Sequence, residues 1–397
     1  MDRVIELMAR AKEDVERRLR ICIPEIIREC AAFAYLGKSF SFDASLDLSD
    51  RVNQRLIALS DEILSDIEER ARKAIEFAEE EDDEDVILPY IKRKIGDEDI
   101  VQRLDKHCST LRYFLEGWIA IGLVNEIKEY ELTNTIFAYL DNPFASPLWQ
   151  EAFNAGYLSN SIQSRGYSYG KGNQRNVLSA LTEIERYAIN EAFQYGRVLG
   201  FDKRGAIAYR THRASNYPCQ YCDDLALQIW PLDIVILPAH PRCVCYTTPI
   251  LADGEGLPDG KELTYYNPKS KGWVITDTSR RVKGEQNKQL LEIYTKEKNM
   301  CIVLADNGYK VRHLGEISGV SSSDIIIDGV PADLKKTKSA NNIKKYAKKA
   351  IEKQGANLVI FEFETKAKEI FLELENLRKK GRKVKYFFSG ENIVRDL

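Results

Sequence analysis

The sequence lacks any long apolar run, and no stretch of it approaches the ~18 apolar residues that a bilayer-spanning helix requires. It also lacks a basic segment followed by an apolar core at its N-terminus, where charges are instead scattered at helical spacing through residues 1–20. We therefore expect a protein that is not secreted by a signal peptide and that begins in the cytoplasm. With 397 residues, 44% hydrophobic and 30% charged, the composition is that of a globular chain of two or three domains.

The eight cysteines do not form the dense, regular framework of a disulfide-stapled protein. Four of them fall between Cys219 and Cys245, and they are accompanied by His240. Such a local cluster of thiols and an imidazole favours metal binding over disulfide formation.

Apolar residues recur at three- and four-residue intervals through residues 4–19, 56–74 and 177–192, which indicates amphipathic helices. The predicted fold class is a multidomain protein with a mostly α N-terminal and middle region, a small zinc-clasped motif and a small α/β C-terminal domain. We divide the chain into a helical region (1–140), a middle domain with the zinc motif (141–251), a linker (252–282) and a C-terminal domain (283–397). The linker is predicted from its Gly, Pro, Asp, Lys and Tyr content and from the absence of an apolar period.

Helical and strand patterns alternate in the C-terminal domain. A helix over 286–307 is followed by a strand over 309–314, and two further strands, 324–327 and 331–335, are joined at Asp328-Gly329, a strong hairpin signal. A helix around Ile343–Ile351, the strand LVIFEF, a helix around Ile370–Leu377 and the strand VKYFF complete a compact α/β domain.

The cysteine cluster has the spacing of a structural zinc site. Cys219 and Cys222 form a Cx2C pair, and His240, Cys243 and Cys245 follow after a loop. Structural zinc takes four S or N ligands in a tetrahedron, commonly as two close pairs separated by a loop. We favour Cys219, Cys222, His240 and Cys243, with Cys245 able to replace either of the last two, because we expect Cys243 and Cys245 to point to opposite faces of an extended chain. No carboxylate stands in the motif to act as the base of a catalytic zinc, so we expect a structural Zn²⁺.

The same residues carry a resemblance to a known family. The segment Pro238-Ala239-His240-Pro241-Arg242-Cys243-Val244-Cys245 after a Cx2C pair resembles the signature of the phage Mu F-like head morphogenesis proteins. The resemblance implies a minor capsid protein located in the procapsid or virion, with phage portal and capsid proteins as partners and no membrane association. Residues 1–140 contain no motif of that family.

The C-terminal hairpin carries an Asp-x8-Asp-x-Lys pattern made by Asp324, Asp333 and Lys335. Asp333 and Lys335 are two apart on a strand and project to the same side, and Asp324 lies on the neighbouring strand. Two carboxylates can hold Mg²⁺ against a phosphodiester while a lysine orients water or neutralises the phosphorane. The pattern resembles that of the metal-dependent PD-(D/E)XK nucleases, with Glu285 as the acid of the preceding helix, although Ser323 stands where that signature has proline.

A second resemblance leads to metal-free chemistry. The succession of LADNGYKV, DIIIDGVPADLKK, a basic helix and VIFEF resembles the C-terminal tRNase toxins of contact-dependent inhibition systems and the barnase/EndoU/colicin/RelE group. That resemblance implies an RNase, acting on tRNA or other RNA through the ribose 2′-OH, with Lys335, Lys338, His313 and Thr337 as catalytic candidates and Asp333 orienting.

Residues 285–397 contain 22 Lys/Arg against 16 Asp/Glu, whereas the whole chain has a net charge of -3. A basic portion of this kind suits a polyanion, RNA or DNA, and the binding residues predicted for it are Lys336, Lys338, Lys344, Lys345 and Lys348. A C-terminal domain that binds nucleic acid or protein without catalysis remains an alternative.

Overall fold

A computed structural model describes residues 2–31, 40–79, 98–156, 176–214, 218–240, 243–315 and 322–397. The chain forms two compact units. The described residues of the first unit fall within Met1–Gly200, Ala214–Tyr217 and Ile236–Cys245, and those of the second fall within Phe201–Arg213, Pro218–Val235 and Tyr246–Leu397. In the described residues, no helix is both long and apolar enough to span a membrane.

The first unit is helical, as its apolar periodicity predicts. Its helices are α1 (Asp2–Ala31), α2 (Leu46–Glu79), α3 (Ile100–Val124), α4 (Glu129–Ala138), α5 (Pro147–Asn154) and α6 (Val177–Lys203), the last of which ends in the second unit. Short 3₁₀ turns precede α2 and α5, at Phe42–Ala44 and Pro143–Ala145.

One apolar core joins these helices. On α1 the buried positions Val15, Leu19, Ile23 and Ile26 follow the three- and four-residue spacing, so that one stripe of the helix faces the core. Each such side chain contributes roughly 1.5–3 kcal/mol on full burial. Gly117 of α3 lies so close to the indole of Trp149 that a Cβ at this position would stand 2.6 Å from the ring, which explains the glycine.

The second unit begins with a three-stranded antiparallel sheet in the order β2-β1-β3. Its strands are β1 (Ala206–His212), β2 (Ile229–Trp230) and β3 (Tyr246–Leu251), and the short helix α7 (Gln220–Ala226) lies between β1 and β2 in the chain.

An eight-stranded mixed sheet follows, in the order β11-β10-β9-β8-β7-β6-β5-β4. The strands are β4 (Lys261–Asn267), β5 (Gly272–Asp277), β6 (Lys310–His313), β7 (Ile325–Ile327), β8 (Val330–Thr337), β9 (Leu358–Phe363), β10 (Val384–Phe388) and β11 (Arg395–Asp396). The helices between them are α8 (Thr278–Glu285), α9 (Lys288–Asp306), α10 (Asn341–Gln354) and α11 (Lys368–Lys379).

Helices cover both faces of this sheet. On β9, Leu358 and Ile360 belong to a core cluster with residues of α9, whereas Val359, Phe361 and Phe363 belong to another with residues of α10 and α11. Every residue of β9 is therefore buried, as expected for a central strand with parallel neighbours on both sides.

The predicted linker 252–282 differs from the structure. It contains β4 and β5, which pair antiparallel and continue the eight-stranded sheet through the parallel pairing of β5 with β6. The sequence does not reveal β4, because this strand is half-buried along its whole length and therefore shows no alternation of apolar and polar residues.

Candidate functional site

The β7-β8 hairpin brings two aspartates together. Asp328 and Gly329 form its turn with positive φ angles of 45° and 81°, which suit the two-residue turn predicted from the Asp-Gly pair. In the resulting register Ile325 lies opposite Ala332, so Asp324 and Asp333, one position further along each strand, lie side by side.

Lys335 completes this acidic pair. Its Nζ forms an ion pair with Asp333 Oδ2 and lies 3.6 Å from Asp324 Oδ2. Asp324 Oδ2 also accepts a hydrogen bond from the Leu334 N–H at 3.0 Å. The structure therefore brings together the three residues of the Asp-x8-Asp-x-Lys pattern.

The pKa values of the two carboxyl groups are shifted in opposite directions. Asp333 is fully buried, and this desolvation, together with the hydrogen bond and the charge of Asp324, raises its pKa to about 7. Asp324 is also penalised by burial, but its hydrogen bond with Asp333, the charge of Lys335 and the Leu334 N–H lower its pKa. Asp324 is therefore the more acidic group of the pair.

The acidic pair fits a hard divalent cation. Apart from the ion pair with Lys335 and the contact with Asp324, no residue that the structure describes donates a hydrogen bond to the buried Asp333 carboxyl. Mg²⁺ is commonly bound through one or two carboxylates, with water and substrate phosphate supplying the other oxygens. Asp324 and Asp333 offer such a set.

A second group of charges lies beside Asp324. Arg280 of α8 is only 6% exposed; its Nη2 lies 2.5 Å from Glu297 Oε2 on α9 and 3.8 Å from Asp324 Oδ1. His313 of β6 is buried, stacks on the Tyr294 ring and places Nε2 3.4 Å from the same Glu297 oxygen.

Neither Arg280 nor Glu297 was predicted as a site residue. The sequence contains a signal for Glu297. This acid lies in the apolar stripe of α9, three residues after the buried Tyr294 and four before the buried Cys301, and an acid at such a position indicates a functional carboxylate. Arg280 had none, because it falls in the segment predicted as a linker. Glu285, the acid expected from the preceding helix, is instead at the end of α8 and pairs with Arg281.

The metal-free candidates are dispersed. Thr337 uses its hydroxyl in the turn after β8, where Oγ1 accepts from the Ser339 N–H at 3.1 Å. In the part of the chain that the structure describes, His313 contacts Glu297, which pairs with Arg280, and Arg280 in turn lies 3.8 Å from Asp324. Lys338 is exposed in the same turn.

The predicted nucleic-acid-binding lysines fall into two groups. Lys344, Lys345 and Lys348 lie on the exposed side of α10, whose opposite side buries Ile343, Ala347 and Ala350. Lys336 points to the other face of β8 and forms an ion pair with Glu362, an acid that also accepts a hydrogen bond from Ser389 Oγ at 2.6 Å.

The Cx2C pair lies at the start of α7. Cys219 is the residue before the helix, and its pKa is lowered by the backbone N–H and the thiol of Cys222 and by the backbone N–H of Tyr221. A lowered pKa favours the thiolate, which is the form that binds metal.

The second half of the motif is held by side chains of α6. Asn190 Nδ2 donates to the Cys243 carbonyl at 2.7 Å, and Gln194 Nε2 donates to the Cys245 carbonyl at 3.3 Å. The Cys243 N–H donates to the His240 carbonyl at 3.0 Å, and the two motif residues Pro241 and Arg242 lie outside the described ones.

The five predicted zinc ligands form a Cys/His cluster made of two groups that share Cys222. The ligand atoms of Cys219, Cys222 and His240 lie within 4.8 Å of one another, and so do those of Cys222, Cys243 and Cys245. The expected divergence of Cys243 and Cys245 is absent, because residues two apart along an extended chain point to the same side. The cluster can hold a metal such as zinc.

Comparisons with known proteins give little. No family model and no curated protein matches the chain. The chain is similar to a solved structure described as the CdiA-CT/CdiI toxin and immunity complex from Burkholderia pseudomallei, at 17% identity over 28% of this chain and 89% of that chain, with a TM-score of 0.24. The match is partial and says nothing about the activity of this chain, and no comparison supports the head-morphogenesis resemblance.

Proposed function

We propose that the C-terminal part of the chain is a metal-dependent nuclease of the PD-(D/E)XK type, with Asp324, Asp333 and Lys335 as its catalytic residues. The observation that carries the proposal is the convergence of these three side chains at one point of the sheet, with the Asp333 carboxyl fully buried beside a second acid. Two acids buried side by side are costly to ionise unless a cation compensates them.

The two aspartates and the lysine have different tasks. Asp324 and Asp333 would hold Mg²⁺, which when bound supplies a Lewis acid for a phosphodiester oxygen and lowers the pKa of a bound water. Lys335 places a positive charge beside both carboxylates, where it would orient the attacking water and neutralise charge that develops on the phosphorus oxygens. The exposed lysines of α10 would contact the nucleic-acid backbone.

The metal-free RNase mechanism is the weaker candidate. It needs a general base and a cation around one phosphate, yet His313 is buried against Tyr294 and Thr337 is engaged in a turn. RNA, and tRNA in particular, nevertheless remains the first substrate to test, because the resemblance to tRNase toxins concerns the substrate as well as the mechanism.

The test is cleavage of labelled tRNA and of duplex and single-stranded DNA by the full-length protein in Mg²⁺. Asp333→Asn and Lys335→Met should each lower the single-turnover cleavage rate by about 100-fold or more, because the first removes a ligand of the proposed Mg²⁺ and the second removes the positive charge beside the reacting phosphate. Glu364→Gln removes an exposed acid at the end of β9 and serves as the control with an unchanged rate. Equal rates for the wild type and Asp333→Asn would exclude the proposal.

For the Cys/His cluster we propose a structural Zn²⁺ held by four of the five residues Cys219, Cys222, His240, Cys243 and Cys245. Elemental analysis of the purified full-length protein should give about one zinc per chain. Cys222→Ser should lose the metal, because Cys222 belongs to both groups of neighbouring ligand atoms, whereas Cys301→Ser, at a buried cysteine of α9, should keep it. Metal-free wild-type protein that folds and melts like the zinc-loaded form would contradict a structural role.

A role in phage head morphogenesis, with portal and capsid proteins as partners and the virion as location, stays a prediction from the Pro238–Cys245 motif. It is supported only by that motif and by the Cys/His cluster formed by its residues.

A further inference from the structure

Arg280 is a buried arginine that lies beside Asp324 of the acidic pair. Its guanidinium lies between two carboxylates, 2.5 Å from Glu297 Oε2 and 3.8 Å from Asp324 Oδ1. Asp324 in turn contacts Lys335 Nζ and the Leu334 N–H through its other oxygen. Positive groups of the protein therefore occupy both sides of the Asp324 carboxylate.

The backbone around Arg280 fixes it in this position. Asp277 caps α8, because its Oδ1 accepts a hydrogen bond from the Ser279 N–H at 3.0 Å. Lys261 Nζ donates to the other oxygen, Asp277 Oδ2, at 2.6 Å. Gly284, one turn after Arg280, lets α8 approach α9 so closely that a Cβ there would stand 3.0 Å from Tyr294 Cβ. Arg280 and Glu297 are thus held together by the packing of α8 on α9.

This arrangement bears on the number of metal ions. Two-metal nucleolytic sites hold their ions about 3.5–4 Å apart and bridge them with a shared carboxylate. Asp324 and Glu297 would be the ligands of a second ion here, since Asp333 and Asp324 hold the first. Arg280 occupies the space between Asp324 and Glu297, and its charge persists at every physiological pH because guanidinium does not deprotonate.

We infer that Arg280 takes the place of a second divalent cation, so that the site works with one metal ion and Arg280 acts as a positioning residue for Asp324 and Glu297. The inference rests on the proposed nuclease function. It identifies a property of the site, its metal stoichiometry, that the Asp-x8-Asp-x-Lys pattern leaves open.

The test counts Mn²⁺ ions bound to the full-length, zinc-loaded protein by electron paramagnetic resonance, with Asp333→Asn as the reference for ions bound elsewhere. The wild type should bind one more ion than Asp333→Asn. Arg280→Gln, which removes the cation between the two carboxylates, should bind two more, and Arg280→Lys, which keeps the charge, should bind one more. The Mg²⁺ dependence of cleavage should steepen from a Hill coefficient of about 1 in the wild type to about 2 in Arg280→Gln.

Two site-specific ions in the wild type would overturn the inference and leave the nuclease proposal intact, as would a single ion in a folded Arg280→Gln. The wild-type count decides the question even where Arg280→Gln fails to fold. No difference between the wild type and Asp333→Asn would instead refute the nuclease proposal, and the inference with it.

Discussion

Burial raises the pKa of several described carboxyl groups, among them Asp333, to about 7, and Glu185, to about 8, and the surroundings of these two groups differ. Asp333 stands beside a second aspartate and a lysine on adjacent strands. Glu185 lies on α6 within the helical unit, fully buried, with Arg70 Nε 3.0 Å from its Oε1. A shifted pKa alone therefore does not mark a catalytic group here, and the geometry around it decides.

The Glu185 group links stability to pH. Its folded-state pKa lies well above its ordinary value of 4.5, so its contribution to stability is complete below about pH 4.5 and is lost as pH rises through about 8. Glu185→Gln should remove this loss and be more stable than the wild type at pH 8, by roughly 2–4 kcal/mol, while the difference should nearly vanish at pH 4.5. Urea unfolding at both pH values measures it.

Glu13→Gln is the matched control, since it removes an exposed glutamate of α1 and should shift stability little at either pH. A stability difference for Glu185→Gln that is the same at pH 4.5 and pH 8 would show that Glu185 ionises normally in the folded state.

At the scale of elements, α10 has an apolar side and a basic side. Its apolar side packs on the sheet, and its other side exposes Lys344, Lys345 and Lys348. The ion pair between Lys348 and Glu352, at 3.8 Å, is exposed and therefore weak. The three lysines are thus available to bind phosphate groups.

Replacing all three by glutamine should weaken nucleic-acid binding and make it less dependent on salt. The slope of log K against log salt should fall by about 0.9 for each phosphate of duplex DNA that the variant no longer neutralises, and the cleavage rate at saturating substrate should not change. Filter binding at several salt concentrations measures the slope.

The control variant replaces Lys368 and Lys379 of α11 and the adjoining Lys380 by glutamine, which removes the same charge from another exposed surface. If both triple variants show the same decrease in affinity, binding follows net charge and not the surface of α10.

The sequence predicted those elements whose local pattern is strong. LVIFEF and VKYFF became β9 and β10 with those same residues, and the Asp328-Gly329 turn joins β7 and β8 as expected. It failed at β4 and β5, because an edge strand without alternation looks like a loop and the pairing of β5 with β6 is non-local. Asp324, Asp333 and Lys335 lie within one hairpin, so their spacing in the sequence predicts that they meet. Arg280 meets them only through non-local packing, and the sequence does not predict this contact.

At the scale of the whole chain, two different candidate metal chemistries are present. The Cys/His cluster offers soft thiolate and imidazole ligands, which suit zinc, and the acidic pair offers hard oxygen ligands, which suit magnesium. This difference in ligands predicts that Zn²⁺ added back to metal-stripped protein fills the Cys/His cluster and that Mg²⁺ fills the acidic pair.

The most direct test of the account is therefore the response of cleavage to metal removal. Full-length protein is treated with EDTA, one equivalent of Zn²⁺ is restored to fill the Cys/His cluster, and labelled tRNA or DNA is then added with or without Mg²⁺. Cleavage should be absent without Mg²⁺ and should return with Mg²⁺ in the wild type but not in Asp333→Asn. Cleavage by the zinc-loaded protein that persists without Mg²⁺ would contradict the account and indicate the metal-free mechanism.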